Sequence, residues 1–435
     1  MSRLRIFIFN SIVLTFTSLL IRIIDMFFNI YIANKIGSEG SGVFGLISSI
    51  FVFAITFANS GINLATTRIV GEEIDKGNFN ESKIALKKCI VYSLFFGLFA
   101  CILLFIFSDF ISTTLLHNKL SKYPVYIMAI SLPFISVTSV FYGYFSGIRK
   151  AYKTSITQIF STFIKFIIVY LFFYTNPSSN IERSCTFLIL ANTISSILEF
   201  LFTYILYLLE KKELKRNICN NINYLTRIFK IAFPVAVTSY IRSGLSTLKH
   251  MLIPIRLEKF NLSCDASLSQ YGLINGMTLP VLLFSSVFIN SFAGLLIPEF
   301  ARYNLKRDYK KMKKATCFIL KTVTIFSVCI ITIFLIFNYE ISFLIYKNYN
   351  VSRYIFILSP IIIFIYLDNV IDCMLKGLDE HVNVMICNIV DLFLSTTLIY
   401  FLLPLYGING YILVIYISEV FNFSISLYLL HKKIK

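Results

Sequence analysis

Residues 85–108 read ALKKCIVYSLFFGLFACILLFIFS. Beyond Lys88 the run carries no charge, and its apolar positions are continuous rather than alternating. About 20 such residues are what an α-helix needs to cross the hydrocarbon of a bilayer. The missing two-residue period argues against a membrane barrel. Working outward, runs of the same kind recur at 6–34, 42–70, 123–147, 156–175, 184–209, 228–255, 269–300, 315–338, 354–376, 383–403 and 408–430. With 85–108 they predict twelve transmembrane helices in an all-α, polytopic membrane protein.

Composition agrees. The 435 residues are 57% hydrophobic and 14% charged, with a mean hydropathy of +0.78, where a soluble domain is about 45–50% apolar and about 25% charged. That much apolar surface excludes a soluble enzyme, a disordered chain and a disulfide scaffold. The net charge is +18, from 40 Lys and Arg against 22 Asp and Glu. These charges lie between apolar runs, so anionic membrane lipid is the expected partner and nucleic acid is not. The nine Cys form no C-x-x-C and no Cys/His pair at ligand spacing, so they read as small apolar fillers with no metal site. The first apolar run is too long for a cleaved leader and is expected to stay as a helix.

Twelve spans put both termini on one side of the membrane. The segments on that side carry 26 Lys and Arg against 8 on the other, which places both termini in the cytoplasm of a cell whose plasma membrane the chain crosses. The longest hydrophilic stretch, 210–227, carries Lys211, Lys212, Lys215 and Arg216. It predicts a cytoplasmic linker between an N-terminal six-helix lobe, 1–209, and a C-terminal one, 228–435. The segment 301–314 (ARYNLKRDYKKMKK) reads as a basic surface helix. Sliding the chain by 227 residues sets Phe44-Gly45-Leu46-Ile47-Ser48 on Tyr271-Gly272-Leu273-Ile274-Asn275, Glu72 on Glu299, and Arg22 on Lys249. A shift of 230 sets Phe145-Ser146-Gly147-Ile148 on Leu375-Lys376-Gly377-Leu378. The agreement predicts a duplication. An even number of spans per half gives a pseudo-two-fold along the membrane normal, as in parallel-repeat transporters.

A charge in hydrocarbon costs at least about 2.5–3.5 kcal/mol on insertion scales, so charges inside spans mark a partner or a wet cavity. Arg22 and Asp25, three apart in the first span, either pair with each other or leave Arg22 facing a cavity with Asp25 as its holder. Arg242 and Lys249, seven apart in the seventh span, share a helix face with no acid between them, which suggests an anionic ligand. Neighbouring His250 reads as a packing residue. Arg68 ends the second span, where snorkelling to the interface is the plain alternative. Lys165 either pairs with another helix, Glu199 being a candidate, or adds to the cavity; Lys321 is placed to snorkel. Asp372 is spaced to pair with Lys376. Asp368, with Asp391 or Glu419, either makes interhelical pairs or titrates with a coupling proton or Na⁺. Pro133, Pro234, Pro280, Pro360 and Asn59-Ser60-Gly61 interrupt apolar runs, as bends or hinges would. No phosphate-binding loop, nucleophile elbow, H-E-x-x-H or dinucleotide fingerprint is present. No cofactor and no enzymatic reaction is therefore expected.

The stretch Ile32-Ala33-Asn34-Lys35-Ile36-Gly37-Ser38-Glu39-Gly40-Ser41-Gly42-Val43-Phe44 resembles the first outer loop of the stage V sporulation protein B family. The resemblance continues through Asn59 to Ile62, Arg68 to Glu73, Gly147 to Arg149 and Gln158 to Lys165. That family sits with polysaccharide flippases, lipid II flippases and multidrug extruders in one exporter superfamily. The resemblance implies two six-helix lobes and alternating-access movement of a polyprenyl-diphosphate-linked saccharide from the inner to the outer leaflet. It also implies that Arg22, Arg68, Arg242 and Lys249 hold the diphosphate. The chain departs from the family in having Ser161 where an acid is usual, and in ending after the twelfth span where many relatives add two helices. The alternatives are an organic-cation antiporter of the same fold, which should prefer buried acids, and a membrane sugar-polymer ligase or polymerase, which would need a substantial outer loop.

Overall fold

The computed structural model describes residues 3–115, 120–176, 180–210, 223–260 and 262–434. Among them the regular elements are all helical, with no strand. In chain order they are α1 (Arg3–Asn59), α2 (Ile62–Asp75), α3 (Phe79–Ile106), α4 (Ser108–Phe110), α5 (Tyr123–Gly147), α6 (Tyr152–Thr175), α7 (Ile181–Glu210) and α8 (Tyr224–Glu258). There follow α9 (Cys264–Tyr271), α10 (Leu279–Phe284), α11 (Ser286–Lys306), α12 (Tyr309–Ile336), α13 (Asn338–Tyr346), α14 (Asn350–Leu358), α15 (Ile362–Gly377) and α16 (His381–Ile434).

The 57 residues of α1 would stretch about 85 Å as a straight helix, more than twice the roughly 30 Å of hydrocarbon. Its backbone breaks at Gly37 (φ 71, ψ −171), and the 54-residue α16 breaks in the same way at Gly407 (φ 56, ψ −136). Side chains are excluded from that conformation, so glycine lets each helix turn without a loop. Eight helices among the described residues are long and apolar enough to cross a membrane, or nine if the bent pair Cys264–Phe284 and Ser286–Lys306 is one span. The difference from twelve has physical sources. Expected spans run together through Gly37 and Gly407, and α8, with Arg242, Lys249 and several hydroxyls, is too polar to pass on composition.

Two compact units result. The first comprises Met1–Asp25 and Leu46–Gly244, the second Met26–Gly45 and Leu245–Lys435, so α1 and α8 each contribute to both. In the first unit α3, α2 and α7 pack on α5, and α6 on α7. Ile62, Ala65 and Ile69 of α2 meet Ala85, Cys89 and Tyr92 of α3 and Ile228 and Ala232 of α8, the three-and-four spacing that puts one helical stripe into a core. In the second unit α15 is central, packed on α11, α12 and α16, with Val370, Ile371, Met374 and Leu375 fully buried. The glycine-rich stretch 37–45 of α1 packs there too. A Cβ on Gly42 would fall 2.2 Å from the Leu268 carbonyl oxygen, and one on Gly272 1.9 Å from that of Ser38.

Local geometry recurs from one unit to the other at an offset of 230 residues. Gly147 packs against Thr67 O and Gly71 N, and Gly377 against Ile297 O and Ala301 N. Arg149 (φ 62) and Asp379 (φ 63) follow those glycines in the same left-handed conformation. Asn78 (φ −90, ψ 68) precedes α3 in the same backbone conformation as Asp308 (φ −89, ψ 69) precedes α12. Ser112 and Ser342, also 230 apart, each donate to a carbonyl a few residues ahead in the chain, those of Leu120 and Asn348.

The breaks foreseen at Asn59-Ser60-Gly61 and Pro360 are present. Ser60 (φ 45) and Gly61 (φ 71) separate α1 from α2, and the freed carbonyls of Phe57 and Ser60 accept from the Tyr240 and Tyr92 hydroxyls, each at 3.4 Å. Buried backbone acceptors are thereby satisfied by side chains where the helix cannot satisfy them. Pro360 lies in the 3-10 turn Ser359–Ile361. Pro280 follows a π-helical turn, Gly272–Thr278. The segment 301–314 is not a helix of its own. It ends α11 at Lys306, turns through Arg307 (φ 52) and starts α12, whose first turn is capped by Asp308 accepting from Lys311 N at 3.2 Å. Of the expected linker, 211–222 lies outside the described residues.

Candidate functional site

Three sets of polar side chains stand out from the apolar helices, each within one unit. The first gathers where α1, α5, α6 and α7 of the first unit meet. Lys165 of α6 pairs with Asp25 of α1 at 3.6 Å. Glu199 of α7 accepts from the Tyr142 hydroxyl, with Ser161 beside it and Lys165 within electrostatic reach. Thr157 in turn donates to Tyr142 at 3.1 Å. Asp25 is thus matched by Lys165, not by Arg22. Sequence spacing favoured the i,i+3 neighbour, and it could not show that another helix presents a lysine. The acids near Lys165 are thus Asp25 of α1 and Glu199 of α7, with Ser161 bonded to the latter.

The second set lies on α15 and α16 of the second unit, with Lys249 of α8. Lys249 is within electrostatic reach of Asp391 and Glu419, and Ser418 donates to Asp391 at 2.5 Å. Asn422 Nδ2 donates to Asp368 Oδ2 at 2.8 Å. Lys376 pairs with Asp372 at 3.9 Å, as their spacing predicted, and Asn388 Nδ2 lies 3.5 Å from the same carboxylate. His250 is a packing residue whose Nδ1 lies 3.0 Å from the Tyr271 hydroxyl. The sequence pattern showed no acid between Arg242 and Lys249. The structure supplies acids to Lys249 from α16, more than 140 residues away, and leaves Arg242 without them.

The third set is what remains. Arg22 of α1 and Arg242 of α8 belong to the first unit and are exposed. Neither has an acidic side chain within ion-pair distance among the described residues. Arg68 differs: its Nε meets Glu72 Oε1 at 3.0 Å, and its side chain is 65% exposed. Lys321 is exposed on α12, as a snorkelling lysine would be. A guanidinium offers five donors in a planar fork suited to carboxylate and phosphate oxygens, and an unmatched one at mid-helix is stable only against water or an anion. Among the described residues no group of three or more His, Cys, Asp or Glu is arranged to hold a metal ion.

At the α2 end of the first unit, a network that sequence reasoning missed fixes the start of α8. Arg227 reaches Glu73 at 3.1 Å and also Glu72. Lys76 reaches Glu73 at 3.1 Å. Tyr224 donates to Glu81 at 2.7 Å, and Arg149 meets Asp75 at 3.0 Å. The signal was present as Glu72-Glu73-x-Asp75 beside a basic linker, but nothing in the spacing tied those acids to residues 150 positions on.

Comparison with known proteins agrees with this architecture. A family model described as polysaccharide biosynthesis protein matches residues 7–304. Stage V sporulation protein B of Bacillus subtilis (strain 168) is 19% identical over 411 residues, covering 93% of this chain and 79% of that protein. The sporulation protein YkvU of the same organism is 18% identical over 316 residues, 71% and 69% of the two chains. Among solved structures, the inward-facing conformation of a multidrug resistance MATE family transporter of the MOP superfamily superposes with a TM-score of 0.73 at 13% identity, over 95% of this chain and 98% of that one. A MOP superfamily transporter from Pyrococcus furiosus, described as having a binding pocket of reverse polarity that suggests a different function, gives 0.64 at 12% identity over 98% and 96%. A multi-pass membrane protein with the fold of MOP superfamily transporters, matched over more than half its length by one family model, the chain belongs to the polysaccharide biosynthesis protein family.

Proposed function

We propose that the chain is an alternating-access flippase. It moves a polyprenyl-diphosphate-linked saccharide, a peptidoglycan precursor or polysaccharide unit, from the inner to the outer leaflet of the plasma membrane, with both termini in the cytoplasm and no enzymatic step. The observation that carries this reading is the pair of exposed arginines, Arg22 and Arg242, unmatched by acid within the first unit while Lys165 is matched. A diphosphate cannot shed its water into hydrocarbon unaided, and charge-assisted contacts to guanidinium forks replace that water. Lys249 adds positive charge, moderated by Asp391 and Glu419. Arg68, already bonded to Glu72, serves at the cytoplasmic approach. Asp25 and Lys165, with Asp368, Asp391 and Glu419, are the groups through which a proton or Na⁺ would couple. Membership of a polysaccharide biosynthesis family and similarity to stage V sporulation protein B support the lipid-linked saccharide as cargo.

The second reading, an organic-cation antiporter, is favoured by the acids of α15 and α16 and by the likeness to a multidrug transporter. One experiment separates the two. Purified protein in vesicles is given a fluorescent undecaprenyl-diphosphate sugar in one arm and ethidium under a proton gradient in the other. Translocation of the lipid, falling to the protein-free rate in Arg22→Ala/Arg242→Ala, is the expected result. Unchanged lipid transport in that variant, or ethidium transport alone, overturns the proposal.

A further inference from the structure

Where α6 ends and α7 begins, the two helices of the first unit leave a cleft of about 820 Å³ between them. That lies within the roughly 300–1,000 Å³ of sites that hold a small organic molecule. One stripe of each helix lines it. On α6 the stripe runs from Ile168 through Phe172 to Thr175, and on α7 from Arg183 through Phe187 to Leu190, in steps of three and four. Phe172 and Phe187 stack with centroids 3.8 Å apart and planes at 11°, which ties the two walls together. Toward Ile168 and Leu190 the lining is apolar, and at the opposite end it is polar and charged. From Arg183 to Leu190 the wall runs about 10 Å along the helix, the larger part of one leaflet in a bilayer with roughly 30 Å of hydrocarbon.

The polar end carries both signs of charge. Arg183 is exposed and has no acid within ion-pair distance among the described residues. Glu182 is exposed beside it, and one of its oxygens accepts from Ser121 N at 3.0 Å, which leaves the other for a ligand. A water-soluble molecule gains nothing from the apolar end of such a cleft. A lipid with a purely anionic headgroup satisfies Arg183 but is repelled by Glu182. A choline headgroup brings a cation without an N–H to donate. A phosphate and a primary ammonium on one short link match both residues, with a charge-assisted hydrogen bond to each.

We propose that this cleft is a binding site for phosphatidylethanolamine. The phosphate lies on the Arg183 guanidinium, the ammonium donates to the Glu182 carboxylate, and one acyl chain fills the space between the two stripes. In a bilayer some lipid chain covers this cleft in any case; what the charged end adds is selection of the headgroup. The site lies wholly within the first unit and does not depend on what the chain carries.

The test uses the full-length chain. It has no Trp, so Leu171→Trp places a single fluorophore on the cleft wall, and Phe318→Trp places one on α12 at a position 71% exposed. Each variant is reconstituted in phosphatidylcholine vesicles with rising fractions of brominated phosphatidylethanolamine, phosphatidylglycerol or phosphatidylcholine, and quenching is read. At the cleft, phosphatidylethanolamine should quench at an about threefold lower mole fraction than the other two, the size expected of exposed ionic contacts. On α12 the three should be equal. Glu182→Gln keeps an acceptor for Ser121 N and should hand the preference to phosphatidylglycerol, while Arg183→Gln should weaken quenching by all three. In the unaltered protein, native mass spectrometry during gradual delipidation should find phosphatidylethanolamine as the last lipid retained. Equal quenching by the three headgroups at the cleft, or a preference for phosphatidylglycerol with Glu182 and Arg183 intact, overturns the proposal. So does displacement of the brominated lipid by an equimolar amount of undecaprenyl phosphate, since the cleft would then hold a polyprenyl tail.

Discussion

Replacing Arg227 by Met removes a guanidinium and keeps most of the apolar stem that packs beneath it. Glu73 is the group left exposed to the consequence. It is 1% exposed and is held by Arg227 at 3.1 Å, Lys76 at 3.1 Å and Asn78 at 3.5 Å. Stripping a buried charge of all compensation costs about 3–5 kcal/mol. Two of the three donors remain here, and a hydrogen bond to a charged group is worth about 1.5–3 kcal/mol, so the expected loss is about 2 kcal/mol. The second contact of Arg227, to half-exposed Glu72, adds under about 1 kcal/mol because water and Arg68 already serve that carboxylate. For a unit of roughly 200 residues, about 2 kcal/mol lowers the melting point by roughly 4–8 °C. The chain has no Trp, but Cys89 and Cys185 are fully buried. Unfolding can therefore be followed with a thiol-reactive dye once exposed Cys317 and Cys329, and Cys219, are replaced by Ser. Glu73→Gln in the Arg227→Met background should restore about half of the loss, because no buried charge then lacks a partner. A melting point within 1 °C or so of the parent for Arg227→Met, or strict additivity in the double variant, refutes the view that this cluster fixes the start of α8.

Two shorter predictions rest on other features. Gly61→Ala should destabilise by at least about 2 kcal/mol, since the residue sits at φ 71 and a Cβ there would lie 2.6 Å from the Ala232 carbonyl oxygen. The same dye assay reads it, and a melting point equal to the parent's would contradict the crossing of α2 and α8. At the chain's end, Lys433 at 2.5 Å, together with Asn383, holds the Glu380 carboxylate below its ordinary range. A lowered carboxylate stabilises the fold above the ordinary value of about 4.3 and loses that contribution as pH falls through the lowered one. Amide exchange in the last turn of α16, corrected for its intrinsic rate, should therefore slow above that range by up to about fivefold, equivalent to about 1 kcal/mol at a half-exposed pair. Glu380→Gln should abolish the dependence, and a pH-dependent difference that survives in Glu380→Gln would remove the ion pair as its cause.

The parts of the molecule that could be read from the chain are those set by local physics. The uncharged apolar run that follows Lys88 became most of α3 because such a run has one solution in lipid. Asn59-Ser60-Gly61 broke its helix because Gly61 tolerates a left-handed backbone. Asp372 found Lys376 because four residues make one helical turn. What stayed hidden depends on which helix lies beside which. Spacing offered Arg22 to Asp25, and the fold gave it Lys165. Lys249 looked as unmatched as Arg242 until α16 brought Asp391 and Glu419 to it. The glycines at 37 and 407 were hidden for a different reason: where a loop was expected, each let one span run into the next.

That contrast bears on the two arginines. Every charge inside an apolar helix carries an insertion cost of about 2.5–3.5 kcal/mol or more, and this chain shows how it offsets such a cost where the charge is structural. Lys165 is given Asp25, Lys249 is given Asp391 and Glu419, and Arg68 is given Glu72. Lys321 is exposed and has a flexible stem that lets its ammonium reach the interface. Arg22 and Arg242 have neither remedy. They sit near the middle of long helices, away from the ends where an arginine can snorkel, and no acid is set against them among the described residues. The matched lysines serve as an internal control. If Arg22 and Arg242 had only a packing role, a chain with 22 acidic residues and several of them in these same helices would be expected to spend one on each. Leaving them open is consistent with an anion that comes and goes. A permanently bound acid at those positions would compete with a diphosphate for the same forks, so introducing one a turn before each arginine, as in Ser18→Glu or Thr238→Glu, should weaken lipid transport while leaving the melting point unchanged or higher. A carrier that worked normally with its arginines so neutralised would not be using them to hold phosphate.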